Sequence, residues 1–491
     1  MNDVKNFKLY LDGKWINSVS GETFSSDNPA KPKQILGIFQ KGNEEDINKA
    51  VEGAEKAFES WKETPAPKRG VILLKTAQLL RENKESLARE MTMEMGKVLA
   101  ETRGDVQEAI DITEYMAGEG RRLFGYTTPS ELRKKFCMTT RMPVGICGLI
   151  TPWNFPMAIP AWKIMAALIC GNTVVFKPSS DTPLCATRLV ETLEKAGLPK
   201  GVLNMVTGPG DAAGMSLVRH DKVRAVSFTG HGDTGATILR EAGLKRVGLE
   251  MGGKNGIIVM DDANLDLALD GVIWGGYGTT GQRCTAASRV IVHEKITEKF
   301  GKMLINRIRK LKLGDGLEPD TDVGPLINKA ARDKSAKYAE IGKNEGAKLL
   351  VGGKAPKNER FFFEPTLFTD CSVDMRITQE EIFGPIVSLI SVKDFDEAVD
   401  VINSIEYGLS SAVYTNDVSR AFEAIMKIEA GLTYINSSTI GSEVHLPFGG
   451  IKHTGIDARE GGIEGINEFS EIKTVYVDYS GKLQKAQIDS A

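Results

Sequence analysis

Between residues 44 and 61 the chain reads EEDINKAVEGAEKAFESW, and between 71 and 97 it reads VILLKTAQLLRENKESLAREMTMEMGK. In both stretches apolar residues recur at i, i+3, i+4 and i+7, which predicts amphipathic helices with one buried stripe. Short strand signals alternate with these helices over roughly the first 120 residues. From 126 to 141, YTTPSELRKKFCMTTR is Thr-rich and basic and then breaks at Met142–Pro143. That pattern predicts a β-hairpin that leaves the main body. From 144 the texture becomes βα alternation: VGICGLI, the helix IPAWKIMAALICG, the strand TVVFK, the helix LCATRLVETLEKAG, then VLNMVTG and VRAVSFTG, each with a Gly-rich turn. Continuous apolar strands between helices predict a parallel sheet buried on both faces. A second series of strands and helices begins after Gly252 and runs to about 447, and the tail TVYVDYSGKL is strand-like enough to pair across an interface. No tandem repeat or low-complexity segment interrupts the pattern.

Length changes this picture by asking for more than one core: 491 residues predict two or three domains. Composition places the chain among water-soluble globular proteins, with 41% hydrophobic and 26% charged residues. Lys plus Arg number 62 against 65 acids, a formal charge of -3, with no long run of one sign. A nucleic-acid footprint and a polybasic membrane anchor are therefore not expected. The opening MNDVKNFKLYLDGKW is charged throughout, which argues against a secretory signal, and no run is apolar for long enough to span a membrane. The expected location is the cytoplasm. Six cysteines without a CxxC pair read as free thiols, and five histidines without HxxxH or HExxH spacing give no metal site.

Several short constellations carry chemistry. Gly230-His231-Gly232-Asp233-Thr234-Gly235 follows the strand VRAVSFT and opens a helix, so it matches GxGxxG, whose bare backbone suits a pyrophosphate. The same turn would serve simple punctuation. Glu250 lies 20 residues beyond Gly230 at the end of VGLE, where a dinucleotide fold would use an acid on ribose hydroxyls. Lys177 ends the strand TVVFK, the place where open α/β sheets bind ligands, or is a solvated strand-end lysine. Asn154, fixed between two prolines in TPWNFP, suits an amide aimed at developing charge or an ordinary tight turn. Cys284 sits among small and polar residues in TTGQRCTAASR beside Arg283, a cation that would favour the thiolate. The other five cysteines lack this setting, apart from Cys137 in its basic stretch.

The ordered set TPWNFP (151–156), VVFKPSS (174–180), FTG with Gly235 (228–235), LEMGGKN (249–255), GQRCT (281–285), EEIFGP (380–385) and PFGG (447–450) resembles the aldehyde dehydrogenase superfamily, in one collinear order over essentially the whole chain. The resemblance implies an α/β aldehyde dehydrogenase fold. Its Rossmann-like parallel-sheet cofactor domain would comprise 1–124 and 143–251, and its α/β catalytic domain 252–447. A small β oligomerisation arm and tail would comprise 125–142 and 448–491, in a homodimer or homotetramer. It makes Cys284 the nucleophile and Glu250 the general base, so the ribose role first suggested for Glu250 falls away. Asn154 and the backbone N–H of Cys284 become the oxyanion hole. Lys177 and Ser180 fall near the adenine ribose, with Ser179 between them also cofactor-binding, Glu381 and Phe383 near the nicotinamide ribose, and Gly230 to Gly235 beside the pyrophosphate. Ile150, Thr151, Trp153, Gly210 and Thr229 complete the implied NAD or NADP site. On this reading a thiohemiacetal, hydride transfer and a thioester lead to the acid, with Glu250 activating the hydrolytic water.

Two departures bear on specificity. His231 stands where the family usually has Ser, leaving it to reach a phosphate or cap the helix. Ser180 replaces the Glu that many NAD-preferring members carry, which removes repulsion of a 2′-phosphate, so NADP is expected to be accepted. IPAWKIMAALICGNT and GQRCTAASR look most like the branch that oxidises 2,5-dioxopentanoate, with glyceraldehyde and glyceraldehyde-3-phosphate enzymes as cousins. Typical succinate-semialdehyde enzymes place arginines where Trp162 and Gly278 stand here. Trp162, Arg283 and Thr285 are the expected substrate contacts, with Arg283 binding a substrate anion, lowering the thiol pKa or forming a surface ion pair. A small anionic or hydroxylated aldehyde follows. The rival classes are a coenzyme A-acylating dehydrogenase, a thiol esterase needing no nicotinamide, and a retired enzyme serving as a binding protein.

Overall fold

The computed structural model of the chain describes residues 4–357, 360–456 and 459–488. Two sheets carry the architecture. In the first, eight strands run in the order Lys14–Ile16, Leu9–Leu11, Leu203–Met205, Thr173–Lys177, Ile146–Ile150, Val223–Thr229, Arg246–Glu250, Gly455–Ile456. The five central strands from Leu203–Met205 to Arg246–Glu250 are parallel. The chain leaves Ile146–Ile150 toward one edge, then returns to place Val223–Thr229 on its other side. That reversal creates a crevice at the carboxyl ends of these two strands, the place where open α/β sheets bind ligands. Apolar clusters cover both faces, as the uninterrupted hydrophobic strands predict.

The second sheet has seven strands in the order Lys348–Val351, Thr366–Thr369, Ile386–Val392, Ala287–His293, Asn255–Val259, Ser410–Tyr414, Leu432–Ile435. All neighbours are parallel except the first pair. Two further clusters bury its faces.

Local signals explain the helices. Helix Glu44–Glu63 starts with a reciprocal capping box between Asn43 and Asp46. Helix Ala158–Cys170 is apolar apart from Lys163, is buried along nearly its whole length, and stops at left-handed Gly171 (φ 95°). The stretch 71–97, one amphipathic run in the sequence, is two helices, Ala66–Glu82 and Lys84–Met95. Asn83 separates them because its side-chain amide donates to the Leu79 carbonyl at 2.8 Å and competes with the helical ladder.

The hairpin is present: Thr127–Pro129 pairs antiparallel with Lys135–Pro143. The strand continues through Pro143 instead of breaking at Met142, since Pro is tolerated at a strand end. The tail finds its partner inside the same chain, Ser470–Asp478 pairing with Pro143–Lys135 over nine residues. Residues 448–468, grouped with the tail by sequence, lie elsewhere. Gly455–Ile456 adds an edge strand to the first sheet, and helix Gly462–Glu468 packs on Ala158–Cys170. Among the described residues no helix is long and apolar enough to cross a membrane, and no His/Cys/Asp/Glu cluster could hold a metal.

Candidate active site

Cys284 follows a turn, Gly278–Gly281, in which Thr279 (φ 51°) and Thr280 (φ 59°) are both left-handed. Such non-glycine conformations cost of order 1–3 kcal/mol each and persist only where surroundings impose them. Here the Thr279 N–H donates to Glu101 Oε1 at 2.6 Å, and the Gln282 amide is held by the Thr279 carbonyl and the Ile327 N–H. Beyond the sulfur, Asn255 Nδ2 donates to the carbonyls of Cys284 (2.7 Å) and Ala286 (3.0 Å). The loop is clamped on both sides of the thiol.

Arg283 does not serve that thiol. Its guanidinium donates to Thr279 Oγ1 at 2.8 Å, pairs with Glu101 at 3.4 Å, and lies over the rings of Phe155 and Trp274. Burial pushes the Cys284 thiol up to about 12, and Glu250 and Glu381 add to the rise. The expectation that Arg283 favours the thiolate is corrected: its charge is spent on a carboxylate and two aromatic faces. Cys284 is nonetheless partly exposed, whereas the other five cysteines, Cys137 included, are buried.

Asn154 is buried in the turn after the central strand, with Nδ2 3.1 Å from the Gln282 carbonyl. The amide therefore lies against the nucleophile loop. Its main-chain oxygen accepts from Lys97 Nζ at 2.9 Å, and Lys97 is paired with Asp105 at 2.6 Å. The other Asp105 oxygen accepts from the Ala158 N–H at 2.7 Å, which ties this turn to the start of its helix.

Glu250 ends its strand opposite Thr229. Its two oxygens are buried with no hydrogen-bond partner, and Gly449 stands so close that a Cβ there would strike Oε1. Burial and the neighbouring Glu460 hold the carboxyl well above the usual range, with Lys163 and Arg459 offsetting part of the rise. Lys163 is itself paired with Glu460 and donates to Ser227 Oγ at 2.8 Å.

Two cavities meet at the sulfur. One, about 320 Å³, is lined on one wall by Trp153, Thr229, Gly230 and His231 and on the other by Glu381 and Phe383. The second, about 130 Å³, is lined by Glu250, Trp162, Arg283 and Thr285. Cys284, Thr229, Met251 and Ile159 line both. Glu381 Oε1 accepts from the Gly253 N–H at 2.9 Å, and left-handed Phe383 (φ 60°) meets Trp153 edge to face at 5.4 Å. His231 Nδ1 accepts from the Asp233 N–H, so its side chain caps helix Gly232–Glu241. Gly235 packs against Met251 and does not reach the cavity.

Lys177, Ser179, Ser180 and Gly210 lie outside the larger cavity's lining, at and beyond the end of the neighbouring strand. Ile150 stands beside Lys177 in register, and the Thr151 N–H donates to the Lys177 carbonyl. Burial lowers the Lys177 ammonium to about 8, and the Pro178 carbonyl accepts from it at 2.6 Å. Ser180 Oγ donates to the Gly208 carbonyl at 2.9 Å. Thr151 Oγ1 and Thr229 Oγ1 are buried without partners. Buried hydroxyls left unsatisfied along one row of strand ends fit a polar ligand lying across them.

Sequence reasoning missed Lys97, Asp105 and Glu101, which hold the two loops, and Lys334 and Glu108, which line the cavities. Glu101, Asp105 and Glu108 lie at i, i+4 and i+7 of helix Leu99–Glu119, an acidic stripe on an inward face. That spacing is legible, and it was the available signal.

Two doubly covered parallel sheets meeting at a cysteine and a buried glutamate define an α/β enzyme. The chain belongs to the aldehyde dehydrogenase family, whose profile matches residues 15–475. It is 42% identical over 484 residues to the alpha-ketoglutaric semialdehyde dehydrogenase of Bacillus subtilis, covering 97% of this chain and 99% of that protein. It is 39% identical over 478 residues to the 2,5-dioxopentanoate dehydrogenase of Saccharolobus solfataricus, covering 96% and 99%. Betaine aldehyde dehydrogenase of Staphylococcus aureus, crystallised with NAD+, superposes with a TM-score of 0.94 at 37% identity, covering 97% of this chain and 95% of that one. The protein is an oxidoreductase acting on aldehydes.

Proposed function

We propose that the chain oxidises a small oxo-acid semialdehyde of the 2,5-dioxopentanoate type to the corresponding acid, with NAD or NADP, in the cytoplasm. The observation that carries this reading is the meeting of two cavities at Cys284, one with the features of a nucleotide crevice and one holding Glu250. The relatives of similar length named for that semialdehyde support the substrate class.

Lys177, Ser179, Ser180, Gly210, Thr151 and Ile150 would hold the adenosine end of the dinucleotide. Trp153, Thr229, Glu381 and Phe383 would hold the nicotinamide end and Gly230 and His231 the pyrophosphate, with Gly235 supporting the turn. When bound, the cofactor supplies a hydride acceptor. The residues do the rest. Glu250 is the base sharing the cavity with the thiol, and as a carboxylate it takes the thiol proton. The sulfur bonds to the aldehyde carbon, and the resulting oxyanion is received by Asn154 Nδ2 and the Cys284 N–H. After the carbon has lost hydride, Cys284 carries a thioester. Glu250, having passed the thiol proton to solvent, then deprotonates a water that attacks the thioester carbon. The C–S bond breaks, releasing the acid, and the proton on Glu250 returns to the sulfur. Trp162, Arg283 and Thr285 wall the substrate side.

The cofactor unit is read as 1–124 with 143–251, and the catalytic unit as 252–447. The arm is read as 125–142 with the tail. Exposed Phe124, Tyr126, Tyr476 and Tyr479 on and beside the arm support a homodimer or homotetramer, which light scattering would settle.

The test is formation of reduced cofactor with NAD and NADP separately. The panel contains 2,5-dioxopentanoate, succinate semialdehyde, glyceraldehyde, glyceraldehyde 3-phosphate and neutral aldehydes, each run beside Cys284→Ala. Turnover that requires Cys284 and is fastest with 2,5-dioxopentanoate supports the reading. Turnover surviving Cys284→Ala, or release of the acyl group only to coenzyme A, overturns it.

A further inference from the structure

The smaller cavity contains an acid that the reaction above does not use. Glu108, on helix Leu99–Glu119, lines it together with Trp162, Phe155, Phe448 and Arg283. It forms no ion pair with a described residue, unlike Glu101 and Asp105 on the same stripe. Beside it stands the indole of Trp162, 5% exposed, whose buried Nε1 faces the Glu108 carboxyl without a well-aligned hydrogen bond. A buried indole N–H normally finds a well-aligned acceptor, so one that meets only the edge of a carboxyl in a cavity wall is placed to turn to a ligand. Arg283, the cation of this wall, is already engaged by Glu101 and Thr279 and covered by Phe155 and Trp274. It contributes field more than free donors.

We propose that Glu108 and the Trp162 N–H are a specificity-determining donor pair, receiving the carboxylate end of an oxo-acid semialdehyde whose aldehyde carbon sits at Cys284. This rests on the reading of the smaller cavity as the substrate side. The charged groups facing Glu108 explain how an acid can donate. Burial and then Asp105 on its own helix raise its carboxyl to about 7, against Lys97 on the preceding segment, Arg283 on the nucleophile loop and the Trp162 indole. Across the cavity, Glu250 and the Lys163-paired Glu460 are further acids and favour the same protonated form. A carboxyl in its acid form has one O–H to give. An anionic ligand favours that form further, so binding and protonation reinforce each other.

The experiment compares KM for 2,5-dioxopentanoate and for a neutral aliphatic aldehyde at about pH 6 and about pH 8. For the wild type, KM of the anionic aldehyde rises about tenfold over that interval as Glu108 ionises, while KM of the neutral aldehyde stays flat. Glu108→Gln, whose amide still donates, abolishes the pH dependence and keeps the low KM. Glu108→Ala and Trp162→Phe each raise KM for the anionic aldehyde about tenfold, with the loss on KM rather than kcat. Binding of 2-oxoglutarate to Cys284→Ala and to Cys284→Ala/Glu108→Ala gives the same comparison without turnover. Weaker binding in the double variant supports the donor pair even where the substrate reading fails in the activity panel. Three results overturn the inference: equal 2-oxoglutarate affinity in the two variants, Glu108→Ala raising KM equally for anionic and neutral aldehydes, and a cationic aldehyde such as betaine aldehyde binding best and tightening as pH rises.

Discussion

The ammonium of Lys97 joins the main-chain carbonyl of Asn154, at 2.9 Å, to the carboxylate of Asp105, at 2.6 Å. Neither charged side chain has any solvent exposure. Because Asp105 also accepts from the Ala158 N–H, one buried pair fixes both ends of the turn that carries the Asn154 amide. Removing one partner leaves the other as a lone buried charge, which costs about 3–5 kcal/mol. Lys97→Met is therefore expected to lower the unfolding free energy by that amount. Lys97→Met/Asp105→Asn should regain much of the stability without regaining kcat, because the turn stays unclamped. Urea unfolding and steady-state kinetics on the single and double variants check both statements.

Asn154→Ala separates the amide from its support. With the clamp intact, the fold should lose little, about 1 kcal/mol from the bond to the Gln282 carbonyl. Loss of one oxyanion donor should lower kcat about 10²–10³-fold with a much smaller change in KM. Comparable losses in stability and kcat would show that Asn154 acts through the fold.

Ser180→Glu tests cofactor choice. Ser180, three residues beyond the strand-end Lys177 with its buried ammonium, has its Oγ bonded to the Gly208 carbonyl. A glutamate there would repel a 2′-phosphate and accept from ribose hydroxyls, so the kcat/KM ratio of NADP to NAD should fall at least about tenfold. Wild-type NADP turnover no better than that of Ser180→Glu would remove the argument from this position.

Glu94 offers a pH test of stability. Its carboxylate accepts from the N–H groups of Leu184 (2.7 Å) and Cys185 (2.8 Å) at the start of helix Pro183–Ala196 and from Ser26 Oγ. Burial outweighs these bonds and raises its pKa from 4.5 to about 7. A folded pKa above the unfolded one means that the contribution is complete below the lower value, 4.5, and is lost as pH rises toward about 7. Relative to Glu94→Gln, the wild type should lose on the order of 1–3 kcal/mol across that window. Parallel stability curves for the two proteins would contradict the assignment.

Periodicity carries the helix Glu44–Glu63 and the βα units from 146 to 250, because each element's apolar stripe is local. The interruption at Asn83 escaped, since one side-chain amide outweighs a good helical pattern. The motif residues Cys284, Glu250 and Asn154 were legible, but their neighbours were not. In the sequence Arg283 stands next to the thiol, yet its partner Glu101 lies 182 positions away in the chain. Only tertiary packing reveals that pairing. The acidic stripe of Glu101, Asp105 and Glu108 is visible in the sequence, but helix Leu99–Glu119 is apolar on several sides, so its burial is not.

Glu250→Gln isolates the last chemical step. The carboxyl is buried and unpaired, so an amide of the same shape should be accommodated with little loss of stability. Its raised pKa sets the sign of the pH effect: a base must be ionised, so wild-type kcat should climb with pH through a value well above the ordinary carboxylate range. In Glu250→Gln that limb should disappear, and steady turnover should fall about 10²–10⁴-fold with loss of the general base. Hydride removal needs no proton from Glu250 once the sulfur has attacked, so at high pH, where more thiol is ionised, one equivalent of reduced cofactor should still form rapidly. Such a burst, followed by a stalled thioester detectable by mass spectrometry on Cys284, places Glu250 at hydrolysis. If instead burst and steady rate vanish together at every pH, Glu250 is needed chiefly to deprotonate the thiol, and hydrolysis must draw on another base.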